Sequence, residues 1–249
     1  MNIIDMNVAI GMCDVHGKEL MASGLLAMMQ DYGITHAVAY HEAAKSDHRA
    51  GNAEMMRIAG ESEGRIGFCA VLDPALGAES LPGEGTLAQR LAASGAECIR
   101  VFPSEMRVLF HPFYFEEILT AAKALSMPIL IDDHLAARAE LFARLPEMAA
   151  SYPEVKFVLV RYGICNIRHI LPLATKCQNV YFTVEKMLDY LQIEEICERG
   201  GGDKLLFGTG YPALPPAGAM GLVLYADVAQ EQKQRIFEGN WEEIRYDHS

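Results

Sequence analysis

The sequence is poor in basic residues, and this shortage excludes several classes of partner. Its 249 residues contain 21 Lys and Arg against 33 Asp and Glu, which gives a formal net charge of -12. A surface of that sign repels a phosphate backbone, and no run of Lys or Arg offsets it, so we expect no nucleic-acid partner. Long apolar runs of membrane-spanning length are also missing, and the stretch MNIIDMNVAIGMCD lacks the basic start of a secretory signal. We therefore expect a cytoplasmic protein with no membrane partner.

Paired cysteines are missing as well. The six cysteines include no CxxC pair, and several fall inside strand-like runs such as IGFCAVL. Scattered thiols of this kind are typical of a reduced cytoplasmic protein. Cys165 follows RYG without an obvious sequence partner that would activate it, so we do not expect a nucleophilic thiol.

Short apolar runs alternate with longer segments of helical periodicity along the whole chain. This alternation indicates βα units and a parallel sheet. Eight such runs, at intervals of about thirty residues or slightly less, match the strand count of a (β/α)8 or TIM barrel. The competing architecture is a doubly wound open sheet. It usually has a Gly-rich phosphate turn after the first strand, where this chain has IGMCDVHG.

We therefore predict a single α/β domain, a TIM barrel over residues 1–249, with no bound cofactor. The predicted strands begin near Ile3, Thr35, Arg65, Cys98, Pro128, Lys156, Val180 and Lys204. An apolar stripe over 20–29 predicts a helix that ends at Gly33, and a second stripe covers 115–125. The last helix is predicted to begin at Asn240, with Glu243 completing a capping box.

Six segments resemble the successive signatures of the amidohydrolase-related (amidohydrolase 2) group of TIM-barrel hydrolases and decarboxylases. They are IIDMNVAIG, AECIRVFP, PILIDDH, KFVLVRYG, DKLLFGTGYP and IFEGNWEEI, so the resemblance runs from end to end. In that family the first, fifth, sixth and eighth strands end in Asp-x-His-x-His, His, His-x-Gly and Gly-[Ser/Thr]-Asp-x-Pro. The matching positions here are Asn7 with Ala9, Asp132, Arg161 and Gly210. The resemblance also implies that a homodimer is plausible.

These substitutions remove the metal ligands that the resemblance would imply. Asn binds divalent transition metals poorly, and neither Ala nor Gly has a donor side chain. The guanidinium of Arg161 stays protonated and repels a cation. We therefore expect no metal at these positions, and we do not carry over metal-dependent hydrolysis.

An ion pair is the expected replacement for the cation. Strand alternation predicts that Asp132 and Arg161 point into the barrel, with Leu159 on the same face as Arg161. At about 4 Å and an effective dielectric near 20 such a pair attracts by roughly 4 kcal/mol, whereas one buried charge left alone costs about 3 to 5 kcal/mol. The guanidinium would then occupy the place of the cation.

This arrangement favours a small anionic substrate. Arg161, helped by Arg100, can bind a carboxylate, and His134 can act as general acid or base beside Asp132. Metal-free proton transfer, lactone or ester hydrolysis, and decarboxylation all suit such a site. The predicted catalytic residues are Asp132, His134 and Arg161, and the predicted substrate-binding residues are Asn7, Arg100, Glu185, Tyr211 and His41.

Two alternatives remain open on the sequence alone. In the first, the ion pair fills a dead site, and the barrel binds a ligand or a partner without catalysis. In the second, a displaced metal site serves a metal-dependent hydrolase. The positive charge of Arg161 argues against the second alternative.

Overall fold

Eight parallel strands and the helices that connect them form the protein. The computed structural model describes residues 2–13, 17–132, 138–162 and 167–246. The strands are β1 (Ile4–Cys13), β2 (Lys18–Leu20), β3 (His36–His41), β4 (Ile66–Val71), β5 (Ala96–Val101), β6 (Ile129–Asp132), β7 (Phe157–Val160), β8 (Val180–Thr183) and β9 (Leu205–Leu206). The sheet order is β2-β1-β3-β4-β5-β6-β7-β8-β9, and β2 is the antiparallel arm of a hairpin with β1.

The last strand segment pairs with the first, which closes the sheet into a barrel. The Met6 amide donates to the Phe207 carbonyl at 3.1 Å, and the Ala9 amide donates to the Tyr211 carbonyl at 2.9 Å. Between them the Gly210 amide donates to the Asn7 carbonyl at 2.9 Å. The predicted TIM-barrel class is confirmed, and each parallel strand begins within two residues of its predicted start.

Helices follow the strands and cover the outside of the barrel. The predicted stop at Gly33 is confirmed, since this residue caps its helix in the left-handed conformation with φ 68°. Among the described residues, none of the helices combines the length and the apolarity that crossing a bilayer requires. The α-helices are α1 (Ala22–Tyr32), α2 (His48–Glu61), α3 (Leu87–Ser94), α4 (Pro103–Met106), α5 (Pro112–Leu125), α6 (Arg138–Ser151), α7 (Ile167–Lys176), α8 (Gln192–Glu198), α9 (Pro216–Leu224), α10 (Gln230–Gln234) and α11 (Asn240–Tyr246).

Two apolar clusters hold the barrel together. The larger one packs the outer faces of the strands against the helices. The smaller one draws side chains from all eight parallel strands and fills the barrel interior, and Trp241 and Ile244 of α11 belong to it. Along β7, Val158 and Val160 belong to the interior cluster, whereas Leu159 packs outward. The interior is therefore a packed apolar core below a polar mouth.

Asn240 does not cap the last helix, so the predicted capping box is wrong. Its backbone is already helical (φ -67°, ψ -36°) and continues a π-helical turn over Arg235–Gly239, whereas a capping residue needs non-helical angles. The buried Asn240 amide instead donates to the Gly202 carbonyl at 2.9 Å and to the Leu205 carbonyl at 2.8 Å. Asn240 thus fixes the turn that leads into β9.

This role predicts that serine cannot replace Asn240. A serine hydroxyl can cap a helix, but it has a single proton and cannot serve two carbonyls. We expect Asn240→Ser and Asn240→Ala to lower the free energy of unfolding by a similar amount, about 1–3 kcal/mol, because buried carbonyls lose their donor. Urea denaturation measures this loss, and Asn2→Ser at the exposed N-terminal end is the control. Full stability in Asn240→Ser would restore the capping interpretation.

Candidate active site

Five polar side chains at the carboxyl ends of the strands form a closed hydrogen-bonded loop, here called the polar ring. Asn7 donates from Nδ2 to Glu185 Oε1 at 2.8 Å and accepts at Oδ1 from Arg100 Nη2 at 2.9 Å. Arg100 and Arg161 each donate from Nε to Asp132 Oδ2, at 3.1 and 2.8 Å. The backbone N–H of Arg161 donates to Glu185 Oε1 at 3.1 Å and closes the loop. The structure thus brings together five of the eight predicted site residues.

Asp132 lies at the centre of the positive charge in this ring. Its Oδ2 accepts from both nitrogens of Arg100 that face it and from Arg161, and its side chain has no exposed surface. One carboxylate therefore bridges two guanidinium groups. The predicted ion pair of Asp132 with Arg161 is present, and Arg100, which was predicted to help Arg161, is a second partner of Asp132.

The side chain of Arg161 points into the ring for a reason that strand alternation did not predict. Val160 already faces the barrel interior, so regular alternation would turn Arg161 outward with Leu159. The predicted common face of Leu159 and Arg161 is therefore wrong. Arg161 has φ 48°, and this left-handed backbone turns its side chain toward Asp132.

The nitrogens of the Arg161 guanidinium differ in their hydrogen bonding. Its Nη2 is buried and has no hydrogen-bond partner among the described residues, while Nε serves Asp132. The side chain is 14% exposed. Burial alone would lower the pKa of this guanidinium, but the carboxylate of Asp132 raises the pKa above its usual range, so the group stays charged.

Arg100 forms the floor of the site. Its side chain is 1% exposed, and its Cζ lies 4.2 Å from the centre of the Tyr40 ring, which is a cation–π contact. The Tyr40 hydroxyl in turn donates to Glu42 Oε1 at 2.7 Å. Arg100 thus binds Asp132 from the barrel interior. Tyr40 is a neighbour of the site that no sequence motif identified.

The two carboxyl oxygens of Glu185 differ in their hydrogen bonding. Its Oε1 accepts from Asn7, from the Arg161 amide and from the Thr183 hydroxyl, the last at 2.9 Å. Its Oε2 is buried without a partner among the described residues. Burial raises the pKa of the Glu185 carboxyl, and the hydrogen bond from Thr183 is the largest effect that lowers it.

Gly210 packs closely against Glu185 and Leu214. It has φ 70°, a conformation that favours glycine. A Cβ atom at this position would lie 3.2 Å from Leu214 Cδ1 and 3.5 Å from Glu185 Cγ. Neighbouring side chains therefore occupy the volume that a larger residue would need.

Asp5 joins the first strand to the end of the last, and no functional role was predicted for it. Its Oδ1 accepts from the Thr209 amide at 2.9 Å and from the Asn7 amide at 3.2 Å, and its Oδ2 accepts from the Thr209 hydroxyl at 2.5 Å. Complete burial raises its pKa to about 7, against the lowering effect of these hydrogen bonds. Its place at the start of the motif IIDMNVAIG was the available signal.

Two further predicted residues, His41 and Tyr211, lie apart from the ring. His41 accepts at Nδ1 from the Ala43 amide at 3.2 Å, which caps the turn after β3, and its ring packs against Gly11. Tyr211 is half-buried and lines a groove of 610 Å³ between the β1–β2 hairpin and the loop over 211–216. His134 and Cys165 lie outside the described residues, so the structure places neither of them.

The ring residues present donors where a cation would need acceptors. Asn7 Oδ1 and Asp132 Oδ2 already accept hydrogen bonds from guanidinium N–H groups. Glu185 Oε1 already accepts three hydrogen bonds. In the described part of the chain, no three His, Cys, Asp or Glu residues are grouped as metal ligands. The arrangement instead suits an anion, which can accept from the free Nη2 of Arg161.

Comparisons with known proteins define the class. The family model described as amidohydrolase matches residues 15–243, so the chain belongs to the amidohydrolase family. No curated protein matches the chain. The chain also resembles solved structures. The three described next share no more than 15% sequence identity with it, so the similarity concerns the fold.

Three of these structures carry the names of two kinds of enzyme, decarboxylase and hydratase. A 2,6-dihydroxybenzoate decarboxylase from Rhizobium has a TM-score of 0.73 at 15% identity, with 98% of each chain covered. A 5-carboxyvanillate decarboxylase from Sphingomonas paucimobilis has a TM-score of 0.72 at 13% identity, again with 98% of each chain covered. A 4-oxalomesaconate hydratase from Rhodopseudomonas palustris has a TM-score of 0.65 at 14% identity, covering 98% of this chain and 95% of that one.

Proposed function

We propose that this amidohydrolase-family protein is a metal-independent hydrolase or lyase that acts on a small carboxylate, which Arg161 binds. The observation that carries the proposal is the buried Nη2 of Arg161, which has no hydrogen-bond partner in the described part of the chain. A charged donor without a partner is costly in a protein interior, and a ligand carboxylate at that nitrogen would remove the cost. Its Nε is held by Asp132, so the direction of the fork is fixed before the ligand arrives.

The charges of the ring support an anionic ligand. Two guanidinium groups share one carboxylate, Asp132, and burial raises the pKa of the Glu185 carboxyl. A ligand carboxylate would give the two guanidinium groups a second counter-ion. The same charges disfavour a divalent cation, and for that reason we do not route the reaction through a metal.

The relatives favour a lyase within this class. Two of the neighbours are named as decarboxylases and one as a hydratase, and the substrates in the decarboxylase names are carboxylates. Loss of carbon dioxide from a bound acid leaves a carbanion that needs a proton. His134, two residues after Asp132 in the sequence, would donate this proton in its predicted role as general acid or base.

Arg161→Met is expected to weaken the binding of benzoate by about 10–150-fold, which corresponds to the loss of one charge-assisted hydrogen bond of 1.5–3 kcal/mol. Methionine keeps much of the length of the side chain without its charge. Calorimetric titration of the purified protein with sodium benzoate measures the affinity. Arg49→Met changes an arginine whose side chain is 58% exposed and serves as the matched control.

The same experiment separates the alternatives. Unchanged benzoate affinity in folded Arg161→Met would contradict the proposed role of Arg161. A wild-type protein that binds none of a panel of small carboxylates would favour the noncatalytic barrel. Stoichiometric zinc or manganese in protein purified without a chelator would favour the displaced metal site.

A further inference from the structure

Glu185 is the member of the polar ring whose two oxygens have opposite surroundings. We infer that Glu185 Oε2 carries a proton and donates it in a hydrogen bond to the carboxylate bound at Arg161, so that ligand binding takes up one proton. This inference rests on the proposed function, because it needs an anion at Arg161. It adds a second binding residue and a coupling between the ligand and the proton.

The contacts of Oε1 fix which oxygen is available. Asn7, Thr183 and the Arg161 amide all donate to Oε1, so this oxygen accepts three hydrogen bonds and acts as the carbonyl side of the group. Oε2 receives none of these donors and is buried without a partner among the described residues. A buried carboxyl oxygen in this position either remains desolvated or donates a proton to an acceptor.

Glu185 lies beside Arg161 at the carboxyl ends of the strands. The residue is 5% exposed and lies in the 3-10 turn Val184–Lys186 that follows β8. Its carboxyl is one hydrogen bond away from the backbone of Arg161, the residue whose free Nη2 marks the anion position.

The charged groups around Glu185 explain why the ligand would bring a proton. Asp5 of β1 is a nearby carboxyl group, Arg161 donates its backbone N–H to Glu185, and Arg100 with its partner Asp132 is linked to Glu185 through Asn7. Burial already raises the pKa of Glu185. A ligand carboxylate beside it adds a like charge, which raises the pKa further, and two carboxyl groups at one site share a proton.

Calorimetric titration with sodium benzoate in buffers of different ionisation enthalpy tests the coupling directly. Over pH 5 to 9 we expect wild-type protein to take up about one proton per bound benzoate at high pH, so that affinity falls by about tenfold for each pH unit above the pKa of free Glu185. Glu185→Gln can accept at Oε1 and donate from its amide nitrogen without a proton from solvent. We expect this variant to bind benzoate with affinity that no longer depends on pH.

Each outcome decides a separate point. Wild-type binding without proton uptake would overturn the role of Glu185 and leave the Arg161 site standing, whereas no binding at all would overturn both. Proton uptake that persists in Glu185→Gln would assign the coupling to Asp5 and overturn the inference. Glu231→Gln, an exposed change on α10, should behave as wild type. If Glu185→Gln does not fold, the difference infrared spectrum of wild type decides, because benzoate should add the carbonyl band of a protonated carboxyl.

Discussion

Asp132→Asn is expected to lower the free energy of unfolding by about 3–5 kcal/mol, because it removes the carboxylate that both ring arginines share. Arg100 is fully enclosed and the side chain of Arg161 is only 14% exposed, so neither guanidinium can be fully solvated without moving. Asparagine has nearly the same volume as aspartate, so the measured loss of stability reports the removal of the charge and not a change in packing. Urea denaturation followed by circular dichroism gives the free energy and, through the slope, a check that the folded state is unchanged.

A double-mutant cycle sharpens this test. Arg100→Met added to Asp132→Asn should recover part of the lost stability, since it removes one of the two charges left without a counter-ion. Asp203→Asn, which breaks the partly exposed pair with Lys204, should cost less than about 1 kcal/mol. An Asp132→Asn protein within about 1 kcal/mol of wild type, with no coupling to Arg100, would show that the mouth is solvated well enough to tolerate the charges.

The barrel was predictable because its strands are buried on both faces. Such strands appear in the sequence as continuous apolar runs, and the runs FVLV and VYFT coincide with β7 and β8. Strand ends were also predictable, since Cys98, Arg100 and Phe102 alternate into the interior as a regular strand requires. Because β5 and β6 keep this regular alternation, the positions of Arg100 and Asp132 at the mouth follow from the sequence pattern alone.

The details that failed depend on backbone angles that a sequence does not display. Arg161 follows an inward-facing Val160, and only its left-handed φ brings the guanidinium into the ring. On β1, Ile4, Met6 and Ala9 belong to the interior cluster because the pairing register shifts between Asp5 and Val8, so simple alternation does not hold there. The capping box at Asn240 failed for a related reason, since a π-helical turn extends the helix ahead of it.

The pH dependence of stability is expected to reveal the buried carboxyl of Asp5. Its pKa is about 7 in the folded protein against 3.8 for the ordinary group, because burial favours the neutral form. As the pH rises, Asp5 therefore loses its proton in the unfolded chain first. The free energy of unfolding then falls by about 1.4 kcal/mol for each pH unit between the two pKa values. The stabilising contribution of neutral Asp5 is complete below about pH 4, falls by about 4 kcal/mol up to about pH 7, and stays constant above that.

Asp5→Asn isolates this contribution from the other acids of the protein. The amide can still accept at Oδ1 from the Thr209 and Asn7 amides, and its Nδ2 can donate to the Thr209 hydroxyl in place of the present bond. We expect the stability of Asp5→Asn relative to wild type to rise by about 4 kcal/mol between pH 4 and pH 7.5, whatever the constant offset between the two proteins. Urea denaturation at a series of pH values measures the difference, with Asp31→Asn on the exposed face of α1 as the control. A difference that does not change with pH would mean that the three hydrogen bonds from Thr209 and Asn7 outweigh burial and keep Asp5 ionised in the folded protein.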